Sequence, residues 1–572
     1  MPRTWLPITL ACALVAGCRS PARDRASSSE ADRRVDSIFA ERVAAGAPGC
    51  AVGVYRDGSP VLLKSFGVTD VESRRPLTVH TLFGLGSVAK QFTALATLTL
   101  ADEGRLSLDD DVRRHLPELR DYGTPIRIRD LLQHTSGIRD YGVLADLSGR
   151  GVVTMPEFLS LIAGQQSLNF TPGTQHEYSH SDYLLLAEIV ERVAGQPFGD
   201  YLERQILAPL GMTESRVHDG RSAVVPERAY GHVTTGDSLR MTFPLDRIPG
   251  GQNLYTSVTD LARWDHALDE ASAGRLPLVA RLFERPTLAN GDTIPYAFGL
   301  RRDRYRGLPM FMRGGNDNGT RTEILRFPGQ RLGVAVLCNR DDQAPGDLGM
   351  LVADAYIGDA MEPQRPAFEV PPARSLPGEE LERYVGYYRD RAPEADIARF
   401  DAVDGRLVER LGDTVQTFTY RGGGTFTGDG SPGAWMIVFT DAVASAPVRA
   451  QYAFEGEPDG EPMFRMNESE IWRPTLGAVE EYAGRWFSED LETIWKLRVV
   501  GRSLMLTRRG TQDLTLLPLR RDDFAVQIGG WNGMSARARF ERDPRGSITQ
   551  LAVSAKSPHE GVVRLLRFSR LP

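Results

Sequence analysis

The sequence predicts an α+β chain in which an α/β layered domain, residues 38–361, is followed by two small β-barrel domains, 378–475 and 476–572. Three observations predict it. Strand-patterned apolar runs stand at both ends of the first region and enclose helical periodicity, the pattern of a layered domain. A proline-rich linker, 362–377, follows, and beyond it short strands alternate with Gly and Asp turns. Finally, Tyr384-Val-Gly-Tyr-Tyr388 returns as Tyr482-Ala-Gly-Arg-Trp486, each ahead of a short strand pair. Two units of about 100 residues fit barrels or sandwiches. One larger sheet with a coincidental Tyr-x-Gly pair is the competing reading.

Taken in order, Trp5 to Ala16 is almost purely apolar and shorter than the roughly 20 residues a spanning helix needs. It ends in Val15-Ala16-Gly17-Cys18, the layout of a secretory signal. Those four residues resemble a bacterial lipobox. The resemblance implies a signal peptide over 1–17, lipidation at Cys18, and an exported lipoprotein anchored to a membrane and facing the periplasm. Residues 18–37 are polar, without an apolar period, and read as a flexible tether.

Residues 50–70 read as a hairpin turning at Arg56-Asp57-Gly58-Ser59. Phe92, Leu95, Ala96 and Thr99 recur at helical spacing and predict a helix over 87–103. A second helix spans Ser181 to Val193 and closes at Gly195, and Ser257-Val-Thr-Asp260 is a capping box ahead of a third. Strands return at 321–327 and 332–338. Cys50 and Cys338 both lie in strand-like runs. An exported chain allows them to pair, and two buried thiols fit the sequence equally. In the β-domains, Trp435, Trp472, Trp486, Trp495 and Trp531 read as core fillers rather than a carbohydrate platform.

Composition narrows the function. Hydrophobic residues at 41% and charged residues at 25% are ordinary for a globular protein. A net charge of −7 argues against a nucleic-acid partner, and four Cys are too few for a disulfide-built scaffold. Among the 68 basic residues only Lys64, Lys90, Lys496 and Lys556 are lysines. In such a chain a retained lysine is informative.

Lys90 stands in Phe83-Gly-Leu-Gly-Ser-Val-Ala-Lys90, three residues after Ser87 at the start of a predicted helix, so both side chains share a face. A Ser hydroxyl needs a base to become a nucleophile. A lysine of lowered pKa supplies one, and an arginine does not.

These residues resemble the serine β-lactamase and penicillin-binding-protein superfamily. The likeness is closest to its class C-like branch of β-lactamases, D-Ala-D-Ala carboxypeptidases, D-aminopeptidases and esterases. Ser87-Val-Ala-Lys90 looks like the nucleophile motif. Ile128-Arg-Asp-Leu-Leu-Gln-His-Thr-Ser-Gly137 is similar to the branch's Leu-Leu-x-His-Thr-Ser-Gly segment. Thr171-Pro-Gly ahead of Tyr178-Ser179-His180 resembles its Tyr-Ser-Asn element, and Gly250-Gly251 with Ser257 to Trp264 matches a further block. Arg313-Gly-Gly315 sits where the family has a Lys- or His-x-Gly edge strand. The likeness covers about residues 45–340.

The resemblance implies a β-lactamase-like fold with an antiparallel sheet and a helical subdomain, and lipocalin-like barrels behind it. It implies a serine hydrolase that works without a metal or cofactor, on a small ester or peptide, with cell-wall peptide among the candidates. Ser87 would form an acyl-enzyme, and Lys90 and Tyr178 would share the acid–base work. The N–H of Ser87 and one near Asn316 would hold the oxyanion. His180, Arg313, Gly315 and Asn316 would line the substrate. Two positions depart from the family. His180 replaces its Asn, and Arg313, which replaces Lys or His, would bind a substrate carboxylate or orient Tyr178.

Two rival readings accompany this one. His176-Glu177-Tyr-Ser-His180 matches the zinc-protease pattern His-Glu-x-x-His, which requires a helix through 176–180. A lipoprotein that keeps the fold and binds cell-wall peptide without catalysis is the other. His134 reads as a support for its loop rather than as a catalytic group.

Overall fold

A computed structural model of the chain describes residues 21–572 apart from 150–153, 219–224, 237, 244–247, 364–369, 390–396, 412–413, 430–434, 441–448, 455–456, 459–461, 467–471, 502, 509–512, 528–534 and 558–560. The expected signal peptide, Cys18 and Trp531 lie outside the described residues. Among those described, no helix is long and apolar enough to cross a membrane.

The first domain is built on a seven-stranded antiparallel sheet. Its strands are β1 (Cys50–Arg56), β2 (Ser59–Phe66), β3 (Tyr296–Ala297), β4 (Leu300–Tyr305), β5 (Leu308–Asp317), β6 (Thr320–Phe327) and β7 (Leu332–Cys338), in the order β2-β1-β7-β6-β5-β4-β3. Both faces are covered, so the central strands are apolar on both sides rather than alternating. Val52, Val54, Leu325 and Val336 pack against helices α1 (Pro21–Ala40) and α6 (Pro345–Ile357). Tyr55, Ile324, Ala335 and Leu337 pack into the helical layer of α2 (Lys90–Asp102), α3 (Tyr141–Ser148), α4 (His180–Ala194) and α5 (Val258–Ser272). Cys50 faces Cys338 across β1 and β7, and their sulfurs are bonded.

Helix α1 replaces most of the expected tether. Ala31, Val35 and Phe39, four residues apart, are buried under the sheet, and Phe39 stacks on Phe66 with ring centroids 4.8 Å apart. Three apolar residues in a polar run are too sparse to read as a period, yet they form one docking stripe. The expected capping box of α5 is half formed. Ser257 Oγ accepts from the Asp260 N–H, while the Asp260 carboxylate turns to the Ser215 N–H and hydroxyl at 2.8 and 2.7 Å.

The C-terminal region forms two closed eight-stranded antiparallel barrels. The first closes where Met463–Arg465 joins both Arg449–Phe454 and Gly386–Arg389. The second runs from Gly484–Ser488 round to Val562–Arg570. The Tyr-x-Gly repeat is one device used twice. Gly386 and Gly484 have φ of 149° and 147°, a conformation that favours glycine. Each turn is held by an arginine from the barrel's last strand, Arg465 donating to Val385 O and Arg570 to Ala483 O. Trp486 and Trp495 are buried core residues of the second barrel, as expected.

That barrel is not an independent appendage. Its apolar core is continuous with the helical layer. Trp495 Nε1 donates to Leu147 O at 3.1 Å, and buried Arg139 meets buried Asp490 at 3.0 Å. Gln165 also donates to Asp490 O at 2.9 Å. The second barrel therefore packs directly on the first domain.

Candidate active site

Ser87 sits in a 3₁₀ turn, Gly86–Ala89, that leads into α2. The turn is pressed against β5. A Cβ on Gly86, whose φ is 52°, would lie 2.7 Å from Asn316 N, and one on Gly315 would lie 2.0 Å from Leu85 O. The helical spacing brings Lys90 Nζ within 3.1 Å of Ser87 Oγ, and the same ammonium donates to Gly251 O at 3.1 Å. Tyr178, on the loop ahead of α4, places its hydroxyl 2.8 Å from Ser87 Oγ. Arg313, on β5, donates from one terminal nitrogen to the Tyr178 hydroxyl at 2.7 Å and from Nε to Ser87 O at 3.3 Å.

The pairing of β5 with β4 ends at Met312. Beyond it, among the described residues, residues 313–317 pair only with β6, so this edge opens on a cleft of about 900 Å³. Ser87, Tyr178, His180, Arg313, Gly315 and Asn316 line the cleft, and Ser557 of the second barrel contributes to it.

Charge is concentrated around the Ser87 hydroxyl. Burial draws the Lys90 amine below its usual range, against the attraction of Tyr178 and with the help of Arg313. Burial alone would push the Tyr178 phenol up, but the charges of Arg313, Lys90 and His180 outweigh it and bring the phenol down to about 7. His180 is raised: burial works against its charge, but Tyr178 and Asp140 outweigh burial. Its Nδ1 lies 3.0 Å from Asp140 Oδ2, and its backbone N–H donates to the same oxygen at 2.8 Å. Asp140 also caps α3 through the Gly142 and Val143 N–H groups.

His134 is fully buried at φ 55°, with Nδ1 2.8 Å from Asp182. Burial, with His176 and Lys90 adding to it, holds it well below the usual imidazole range, and its ring packs on Tyr178, Tyr183 and Tyr296. It supports the Tyr178 loop.

The structure thus gathers Ser87, Lys90 and Tyr178, and adds Arg313 with its guanidinium turned onto Tyr178. Asn316 and Gly315 sit on the facing strand, and the Asn316 carboxamide accepts from Arg321. The zinc pattern is not realised as a helix. Helix α4 begins only at His180, and the Glu177 carboxylate is held by Arg564 at 2.5 Å and Asn169 at 2.7 Å. Sequence reasoning missed Asp140, Gly251 as the Lys90 acceptor, Tyr296 and Glu323. Asp140 lies three residues beyond Gly137 of the His134-Thr-Ser-Gly137 segment, which is the one available signal.

This fold and this cluster define a class: hydrolases of the β-lactamase and penicillin-binding-protein type. The chain belongs to the beta-lactamase family, whose model matches residues 35–357. A D-aminopeptidase of Gluconobacter oxydans (strain 621H) is 32% identical over 343 residues, 59% of this chain and 64% of that protein, so the match spans less than two thirds of its length. A D-aminopeptidase of Brucella canis is 26% identical over 533 residues, 88% of this chain and 93% of that one, a span that includes barrel sequence. The octameric penicillin-binding protein homologue from Pyrococcus abyssi shares the fold, with a TM-score of 0.51 and 21% identity over 94% of this chain and 99% of its own.

Proposed function

We propose that the protein is a serine hydrolase of D-aminopeptidase type, which removes an amino-terminal D-residue from a small peptide, amide or ester through an acyl-enzyme on Ser87. The observation that carries this reading is the Ser87 hydroxyl held between Tyr178 at 2.8 Å and Lys90 at 3.1 Å. Tyr178 is the better-placed base. It is the nearer group, it is brought to about 7, and its oxygen accepts from Arg313, a donor that cannot take the proton back. Tyr178 takes the Ser87 proton as Oγ bonds to the substrate carbonyl carbon. The proton passes to the leaving nitrogen or oxygen as that bond breaks, and water then releases the acyl group by the same route in reverse. Lys90 holds positive charge beside the phenolate. The Ser87 N–H and the β5 backbone near Asn316 supply the oxyanion donors.

The names of the relatives support an aminopeptidase over a β-lactamase. So does Arg313, which is engaged with Tyr178 and Ser87 rather than turned outward for a substrate carboxylate. The Val15-Ala16-Gly17-Cys18 pattern and the Cys50–Cys338 bond support export as a lipoprotein, since disulfides persist in oxidising compartments. The test is hydrolysis of D-alanyl and L-alanyl p-nitroanilide by the full chain and by Ser87→Ala. Cleavage of the D-isomer that disappears in the variant is expected. Equal cleavage of both isomers contradicts the stereochemical reading, and activity surviving in Ser87→Ala contradicts the nucleophile.

A further inference from the structure

The pattern His176-Glu177-Tyr178-Ser179-His180 sets Glu177 and His180 on either side of Tyr178. Both lead to the same short stretch of the second barrel, Val562 to Arg564. One Glu177 carboxylate oxygen meets Arg564 at 2.5 Å, and the other accepts from the Asn169 amide at 2.7 Å. The same amide donates to Val562 O at 2.9 Å, and the Asn169 carbonyl accepts from the Arg564 N–H at 2.8 Å. Arg564, Glu177 and Asn169 thus close a ring. On the other flank the His180 N–H donates to Asp140 Oδ2 at 2.8 Å, and the Asp140 N–H donates to Val562 O at 3.2 Å.

The barrel strand is shaped for this contact. Where Ile548–Lys556 pairs with Val562–Arg570, Val553 faces Leu566 and Ala555 faces Val563, so Arg564 and Leu565 together oppose Ser554. This is a β-bulge, which re-aims a side chain. Leu565 sits in it at φ 50°, a conformation costly for any residue but glycine and kept only where its surroundings demand it. The Tyr178 loop, for its part, needs an anchor. Residues 164–179 form neither helix nor strand, a length uncommon outside functional loops. The catalytic domain holds this loop through the Glu177 N–H to His134 O at 2.9 Å and through the His134 ring on Tyr178, with centroids 4.5 Å apart. The barrel holds it through Arg564. With side chains 24% and 13% exposed, the Arg564–Glu177 pair is sheltered from the screening that weakens surface pairs.

We propose that Arg564 of the second barrel is a positioning residue for catalysis: through Glu177 it holds the Tyr178 hydroxyl between Ser87 and Arg313. This rests on Tyr178 being the base. The hydroxyl keeps 2.8 Å to Ser87 Oγ and 2.7 Å to Arg313, and a misplacement of about 1 Å costs on the order of a hundredfold in rate. Around the phenol stand Arg313 from β5, Lys90 from α2, His180 from α4, Tyr296 from β3 and the His134 ring. A phenol that drifts from Arg313 holds its proton more tightly.

The test follows hydrolysis of p-nitrophenyl acetate against pH in the full chain, in Arg564→Met, Arg564→Lys and Glu177→Gln, and in the double variant of Arg564→Met with Glu177→Gln. Arg564→Met keeps the aliphatic length without the charge, and Glu177→Gln still accepts from Asn169. Each of these two should lose about ten- to a hundredfold in kcat with KM little changed, and in both the acid limb should move to higher pH. The sign in Glu177→Gln is decisive, because loss of a nearby negative charge by itself would move the limb down. The double variant should lose no more than either single one, and Arg564→Lys should recover most of the loss. Circular dichroism reports that each variant is folded. A lowered denaturation midpoint with kcat and the limb unmoved, a limb that moves down in Glu177→Gln, or losses that add in the double variant would overturn the proposal. A limb that persists in Tyr178→Phe overturns the reading of Tyr178 as the base. A limb that vanishes in Tyr178→Phe and stays in place in Arg564→Met overturns the assignment of Arg564 alone.

Discussion

Replacing Arg313 by Gln should move the acid limb of the pH–rate profile upward. The guanidinium donates to the Tyr178 hydroxyl at 2.7 Å and is the foremost of the charges that bring this phenol down to about 7. A unit charge centred about 4 Å away contributes ~4 kcal/mol at an effective dielectric constant of about 20. At about 1.4 kcal/mol per pH unit that is roughly 3 units. Water entering the space left by the guanidinium reduces it, while Lys90 and His180 keep their share, so a rise of about 1–3 units is expected. The sign follows from the base. Tyr178 accepts the proton only when ionised, so kcat/KM for a neutral ester rises with pH through about 7 in the wild type. In Arg313→Gln the same rise appears at higher pH, with activity partly recovered in alkaline buffer. Tyr178→Phe should remove the limb altogether. A limb that stays in place in Arg313→Gln while the plateau drops would show that the guanidinium only positions substrate.

Lys90→Arg should lose about 10²–10³-fold in kcat although it retains a cation, because a guanidinium cannot fit the 3.1 Å contacts to Ser87 and Gly251; near wild-type turnover would show that the ammonium's placement beside the Tyr178 phenolate is not needed. Asp490→Ala should cost about 3–5 kcal/mol, seen as a fall in the denaturation midpoint, because it leaves Arg139 buried without its counter-charge at the barrel junction; an unchanged midpoint would mean that the barrel docks by apolar packing alone. On the proposed lipoprotein reading, Cys18→Ser should shift the chain from the membrane fraction to the soluble one, and a variant still in the membrane fraction would contradict lipidation.

Much of the catalytic domain was legible because its determinants are local. The Ser87–Lys90 spacing, the turn at Asp57-Gly58 and the Gly195 stop each lie within a few residues of the element they define. The Tyr-x-Gly repeat was legible because each barrel uses it to close its own ring. What stayed hidden depends on pairs distant in sequence. Asp490 gives no sign that it neutralises Arg139, and Val35 and Phe39 look like isolated apolar residues until the sheet is assembled beneath them. The zinc pattern at His176 has helical spacing without a helix: helix α4 begins only at His180, and Glu177 is held by Arg564 from far along the chain.

The central claim is that Ser87 is acylated during turnover, and intact-mass analysis of the protein quenched during hydrolysis of a D-alanyl ester tests it most directly. The account predicts a transient mass increase of one D-alanyl group, mapped by fragmentation to the peptide carrying Ser87 and absent from Ser87→Ala. Turnover of the ester with no adduct on Ser87, or an adduct that persists in Ser87→Ala, would contradict it.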